Sequence, residues 1–186
     1  MLNLIKRITL SVAVASLVGC AATVTQTPIS TSSTVAANRA QAPAGALVAV
    51  ISGGPAVRAN GDWQSFLEEW QTSLAASAEI AKMPFVLAMD ETNIPSNTSI
   101  LIRLTVNDFK YVSTTKRFML GVMAGDAYMD VDAQYVALPA NKPFGSKKFN
   151  TSSSAWEGIF SAVTPKQVQT VSEMIVKEVV STAPAK

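Results

Sequence analysis

Cys20 is the one thiol in a chain of 186 residues that contains no histidine. A lone thiol can serve as a nucleophile, a metal ligand or a point of covalent attachment, but the first two uses need partners. Without histidine, Ser-His-Asp and Cys-His catalytic arrangements are excluded, and one chain cannot assemble a structural zinc site. No disulfide can form within one chain either. Carboxylates, tyrosine and Ser-Lys pairs remain as catalytic groups that the composition allows.

Cys20 ends a segment that has the layout of a secretory signal. Two basic residues come first, an apolar stretch covers residues 8–18, and Gly19 precedes the cysteine. About 11 apolar residues are too few for a helix that spans a bilayer, which needs roughly 20. The four residues after the cysteine lengthen the apolar stretch, so an uncleaved anchor is the alternative. The pattern predicts a signal peptide at residues 1–19, cut between Gly19 and Cys20.

Leu17-Val18-Gly19-Cys20 resembles the lipobox of bacterial lipoproteins. The resemblance implies that Cys20 becomes the first mature residue and carries acyl chains on its sulfur and its new amino group. Two or more acyl chains anchor a protein to a membrane almost permanently. Ala21 follows the cysteine where aspartate would retain such proteins at the inner membrane. The resemblance therefore implies a protein anchored in the outer membrane by its lipid and facing the periplasm.

Residues 20–44 are predicted to form the lipidated cysteine and a flexible tether. They consist of small and polar residues with a single charge, Arg39, and show no helical or strand periodicity. Residues 45–183 are predicted to form one domain. Without Lys6 and Arg7 of the signal the chain has equal numbers of basic and acidic residues, so its charge gives no reason to expect nucleic-acid binding, which normally needs a basic face.

The domain is predicted to be α+β, with a mostly antiparallel mixed sheet of about five strands and two main helices packed on one face. The expected order is β-α-β-β-β-β-α, because apolar periodicity alternates between the strand and helix periods along the chain. A change of parity at Asn107-Asp108 predicts a β-bulge. Asp62 and Thr164 are the predicted caps of the two helices. The expected strands cover about 45–54, 85–90, 100–111, 127–138 and 147–151, with helices over about 62–81 and from 164 onward.

Two stretches resemble ligand sites only in part. Residues 52–62 follow a strand and precede a helix, but they lack the spacing of a phosphate-binding loop, so an ordinary loop is expected. Asp126, Asp130 and Asp132 lack the glycine and the closing glutamate of a calcium loop. On a strand, Asp130 and Asp132 would share one solvated face. No metal and no cofactor are therefore predicted.

Residues 116–129, KRFMLGVMAGDAYM, are the candidate contact surface. Two glycines lie in a methionine-rich apolar run, which favours a glycine-bent hairpin or the entry to a strand. Flexible methionine also suits a surface that contacts another chain. Insertion of a strand pair into the bilayer is a third interpretation. The residues predicted to form the surface are Phe118, Met119, Leu120, Gly121, Met123 and Gly125.

The stretches VNDFKY and TTKRFMLGVMAGDAYMDVDAQYVAL, followed by a closing helix, resemble a group of uncharacterised bacterial lipoproteins. The compact α/β domain of that group is similar to the curli-secretion and TolB amino-terminal domains. The resemblance covers about residues 46–183 and brings no catalytic residue with it. The extended amphipathic hairpin that builds the curli pore is missing from this sequence.

The sequence predicts a lipid-anchored envelope protein, not an enzyme, that acts as a periplasmic adaptor. Its domain would bind an envelope protein partner or form homo-oligomers. A carrier for a small amphiphile is one alternative, and it is favoured if Trp63, Trp70 and Trp156 meet at a cavity. An envelope hydrolase that works without histidine is the other alternative.

Overall fold

The computed structural model describes residues 23–28, 45–153 and 164–183. The predicted cleavage site at Gly19 and Cys20 lies outside these residues, as do Trp156 and the rest of segment 154–163. Six strands and four helices are described: β1 (Thr23–Pro28), β2 (Ala46–Gly53), α1 (Pro55–Arg58), α2 (Trp63–Ile80), β3 (Phe85–Ala88), β4 (Thr98–Lys110), α3 (Thr114–Leu120), β5 (Ala127–Ala137), β6 (Lys142–Ser153) and α4 (Thr164–Thr182). Two 3₁₀ turns, Glu91–Asn93 and Gly121–Ala124, complete the described elements.

The strands form one mixed sheet in the order β1-β6-β5-β4-β2-β3. Strands β4, β5, β6 and β1 pair antiparallel, whereas β2 pairs parallel to both β3 and β4. The predicted α+β class and the order β-α-β-β-β-β-α are therefore confirmed for the part of the chain from β2 to α4. Helix α2 provides the crossover that parallel β2 and β3 require.

Strand β1 differs from the prediction that residues 20–44 form a tether without regular structure. Thr23–Pro28 pairs with the edge of β6, from Thr23 opposite Ser152 to Pro28 opposite Lys147. Backbone hydrogen bonds to an open sheet edge do not need apolar side chains. For that reason the polar composition of this segment gave no strand signal.

The predicted bulge lies where the parity of β4 changes. Val106 pairs with Val131 and Asp108 pairs with Asp130, so Asn107 is the extra residue. Before the bulge, the even-numbered residues of β4 face the helices. After the bulge, the odd-numbered Phe109 faces them instead. The Phe109 ring stacks on Phe66 of α2 with centroids 4.3 Å apart.

One face of the sheet packs against α2 and α4 and holds the main core. Helix α2 buries the predicted apolar positions Phe66, Trp70, Leu74 and Ala78. Its cap differs from the prediction, because the Asp62 side chain makes no capping bond; the Asp62 N–H instead donates to the side chain of Asn60. The opposite face of the sheet buries only a small cluster around Val48, Ala88, Leu101 and Val136.

Within the described ranges, no helix combines the length and the apolarity that crossing a bilayer requires.

Replacing Phe109 with alanine should lower the free energy of unfolding by about 3–5 kcal/mol, because a buried ring is lost and a cavity remains beneath α2. Chemical denaturation of the full chain measures this loss. The matched control is Phe118→Ala, which removes the same side chain from an exposed position and should change stability by less than about 0.5 kcal/mol. Equal losses for the two variants would contradict this core assignment.

Candidate contact surfaces

The predicted contact surface 118–125 forms a compact helical connection between β4 and β5. Residues 114–120 are helix α3, and residues 121–124 are a 3₁₀ turn. This is a correction to the expected hairpin or strand entry, and it removes the strand pair that bilayer insertion would need. The helix begins at this point because the Ser113 hydroxyl accepts a hydrogen bond from the Lys116 N–H. Ser113 is thus a helix-capping signal in the sequence, and an analysis of the apolar pattern alone does not detect it.

Buried Arg117 shapes this connection. Its side chain is only 1% exposed, and its guanidinium donates to the carbonyl oxygens of Gly121 at 3.2 Å and Gly125 at 2.6 Å. Both glycines have positive φ, 53° and 73°, which side-chain-bearing residues adopt with strain. A side chain at Gly125 would also displace the flexible amine of Lys110, so the backbone conformation and not this contact is the reason for glycine. The two predicted glycines therefore shape the turn, while other residues form its outer surface.

The outer surface of the connection is apolar. Phe118 is 74% exposed, Met119 76%, Leu120 48% and Met123 86%. We refer to these four side chains as the apolar patch. Exposed apolar residues scattered singly are common, whereas four large ones on one short connection make this stretch a candidate contact surface. The structure thus brings the predicted residues together.

Helix α4 fixes the base of the connection. The Val112 N–H donates to the Thr164 hydroxyl, and the Thr164 N–H donates to the Val112 carbonyl. The side chain of Gln167 donates to the Ala127 carbonyl at 2.9 Å. Thr164 is the predicted cap of α4, but the bonds described for Thr164 and Gln167 cross to Lys110, Val112 and Ala127 and tie α4 to both ends of the connection.

A second feature is a cavity of about 610 Å³ beside β2, β3 and α2, which we call the edge groove. Its apolar lining includes Ile51, Trp63, Leu67, Leu87 and Met89. The groove exists because β3 is shorter than β2. Pairing with β3 stops at Val50, so within the described chain residues 51–53 have a strand partner, β4, on one side only.

Charged groups surround the edge groove. Arg58, Glu68, Asp90 and Glu91 lie along it. Hydrogen bonds from Thr92 lower the pKa of Asp90, and the hydrogen bond from Arg103 lowers the pKa of Glu91. Both carboxylates therefore keep their charge in mildly acidic solution. The charge of Glu91 is balanced by Arg103, whose Nε lies 2.7 Å from the Glu91 carboxylate. The other charged residues along the groove are the acidic Glu68 and Asp90 and the basic Arg58.

The remaining sequence candidates do not converge on a site. Asp130 and Asp132 lie on the solvated face, where Lys148 and the Asn107 side chain contact both of them. The described residues include no group of three or more acidic or cysteine side chains placed to hold a metal ion. Of the tryptophans, Trp63 lines the edge groove and Trp70 is buried in the core. Segment 52–62 contains the single turn of α1, with Gly54 as its cap.

No known protein-family model and no curated protein matches this sequence. Solved structures share its fold. A PelC variant, in a dodecamer from Paraburkholderia phytofirmans, is 16% identical with a TM-score of 0.50 and covers 87% of this chain and 98% of its own. Another PelC dodecamer from that organism is 19% identical, with a TM-score of 0.48 and coverage of 81% and 96%. A DUF330 protein of Xanthomonas campestris is 9% identical, with a TM-score of 0.49 and coverage of 76% and 86%. At 16% identity the first of these likenesses shows the fold alone, and nothing further is concluded from the other two.

Replacing Arg117 with methionine should loosen the connection, because the carbonyls of Gly121 and Gly125 lose a charged donor. Amide hydrogen exchange over residues 118–125 should rise about tenfold or more. The control Lys116→Met removes a charge from an exposed neighbour and should leave that exchange unchanged. Unaltered exchange in the Arg117 variant would show that other contacts hold the turn.

Proposed function

We propose that this protein is a lipid-anchored adaptor of the bacterial cell envelope. In this proposal the acylated Cys20 holds the chain in the outer membrane, and the domain faces the periplasm and binds an extended segment of a partner protein. The edge groove is the observation that carries the adaptor role. The lipobox-like sequence 17–20 supports the anchor.

The free edge of β2 supports the binding of an extended segment. The Leu47 N–H donates to the Pro84 carbonyl and so points toward β3. Because backbone groups alternate along a strand, the Ile51 carbonyl and the N–H and carbonyl of Gly53 point the same way, beyond the last residue of β3. A segment laid along this side would extend the sheet by backbone hydrogen bonds, which is how β-strand addition gives affinity without a fixed sequence.

The lining of the edge groove determines which segment fits. Alternate side chains of an added strand would point toward the apolar surface of Trp63, Leu67 and Leu87. Glu68 and Asp90 outnumber the single Arg58 once Glu91 is counted with its partner Arg103. The preferred partner segment therefore has apolar residues at alternate positions and a basic residue beside them.

Self-assembly is a second proposed role of the domain. Its fold is that of a PelC protein described as a dodecamer, with nearly all of that chain covered. The carrier alternative rests on the same edge groove, because Trp63 offers an amphiphile an aromatic wall. The binding of a partner segment is preferred over the carrier because the free strand edge supplies backbone donors and acceptors that an acyl chain cannot use.

Cys20→Ala should block processing at the lipobox, because acyl transfer needs the thiol. Cells expressing the variant should accumulate a precursor longer by the signal peptide, or release soluble protein. Globomycin should leave the unsubstituted chain as a precursor that also keeps the signal peptide, with lipid on Cys20. Immunoblots of fractionated envelopes measure both outcomes. A normal-sized membrane band under both treatments would contradict the lipid anchor.

A photo-crosslinking side chain at position 64 should trap the partner segment, because Gln64 lines the edge groove. Position 65 is the matched control, since Ser65 is also exposed on the same helix but does not line the groove. Leu67→Arg should lower the yield at position 64 about tenfold by filling the apolar floor. Equal adducts from positions 64 and 65 would contradict the groove.

The mass of the adduct separates the three roles. A heavier adduct with a different protein supports the adaptor, and an adduct with the mass of two copies supports self-assembly. An adduct heavier only by a lipid supports the carrier. An extended peptide with apolar and basic residues, added in excess to purified protein, should prevent formation of the adduct with a different protein. It should not prevent the other two adducts.

A further inference from the structure

We infer that the apolar patch rests in the surface of the membrane that holds the lipid anchor. This inference rests on the proposed acylation of Cys20 and assigns the predicted contact surface to a lipid partner. It adds a fixed orientation to the proposed adaptor, because a domain held at two points of one edge cannot turn freely on its anchor.

The register of the sheet places the start of the described chain at the edge that bears the patch. Thr23 lies opposite Ser152, Ser152 opposite Tyr128, and Tyr128 opposite Lys110. These four residues form one row across β1, β6, β5 and β4. Strand β4 ends at this row and β5 begins beside it, so α3 and the 3₁₀ turn that connect them lie at the same edge, which we call the upper edge.

The reach of the chain brings the anchor to this edge. Neighbouring strands are about 4.8 Å apart, so Thr23 is roughly 14 Å from Lys110 along the row. Cys20 precedes Thr23 by three residues, which span at most about 10 Å when fully extended. An acylated Cys20 therefore enters the bilayer within a short distance of the upper edge.

The chemistry of the patch fits the interface between lipid and water. An aromatic ring, two methionines and a leucine project from one short helical connection. Amphipathic surfaces of this kind bury their apolar side chains in the boundary between headgroups and acyl chains. Exposed Lys110 and Lys116 and exposed Asp108 and Asp126 lie on or beside this connection, so apolar burial and not net charge would hold it.

The opposite, lower edge of the domain offers an internal control. Helix α2 starts after the upper end of β2 and finishes before the lower end of β3, so Ile80 lies near the lower edge. Ile80 is 81% exposed, which matches the exposure of the patch residues. It carries a large apolar side chain at the wrong edge for membrane contact.

Environment-sensitive fluorophores test this orientation in the acylated full chain. Because the chain has a single cysteine and acylation blocks it, Met119→Cys, Met123→Cys and Ile80→Cys each introduce one free thiol. The labelled proteins are reconstituted in phosphatidylethanolamine and phosphatidylglycerol vesicles that contain a spin-labelled lipid as quencher. The fluorophores at positions 119 and 123 should lose about half of their emission, while the one at position 80 should lose almost none.

Equal quenching at positions 80 and 119 would overturn the inference. The inference would also be overturned if the lipid quencher did not reach the fluorophores at 119 and 123. This holds if aqueous iodide quenches them instead, and it holds if a second protein copy shields them. The unsubstituted chain separates this failure from failure of the anchor. If it takes up the label, Cys20 is free, and the proposed anchor falls together with this inference.

Discussion

Strand β4 pairs with β2 in the same direction and with β5 in the opposite direction, and this pairing decides where each contact surface lies. Because β2 and β4 run the same way, both end toward the upper edge of the sheet. The edge groove forms beside the end of β2, and the connection that bears the apolar patch follows the end of β4. If β2 and β4 ran antiparallel, the edge groove and the apolar patch would lie at opposite edges of the sheet.

The same pairing explains the division of the two sheet faces. Helix α2, which joins parallel β2 and β3, must cross one face, and α4 packs beside it over the same core. Among the described residues, the face away from the helices carries polar pairs such as Arg103 with Glu91 and Lys148 with Asp130, and a small apolar cluster at one side. Ion pairs this exposed contribute little to stability. The domain therefore depends on the helix-covered core, and its solvated face is free to vary.

The sequence predicts those features that depend on local side-chain pattern. The apolar rhythm of α2 and the parity change at Asn107 both reflect which side chains face the core, so helix and bulge are found where expected. The direction of β2 depends on a distant strand, and β1 is held by backbone groups, so neither is visible in that pattern. The edge groove results from β3 being shorter than β2, a difference between strands and not a motif. For α3 the cap at Ser113 gave a local signal, but the glycines nearby favoured a strand.

The pairing of β1 with β6 also has a consequence for the order in which the sheet forms. Thr23 meets Ser152, a partner more than a hundred residues later in the chain. Chains are synthesised from the amino terminus, so β1 has no edge to pair with until nearly the whole domain has followed it. Contacts between such distant residues form late in folding, because a long loop must close first. The first strand that the structure describes is thus expected to join the sheet last, so the order of the strands along the chain is not the order in which they pair.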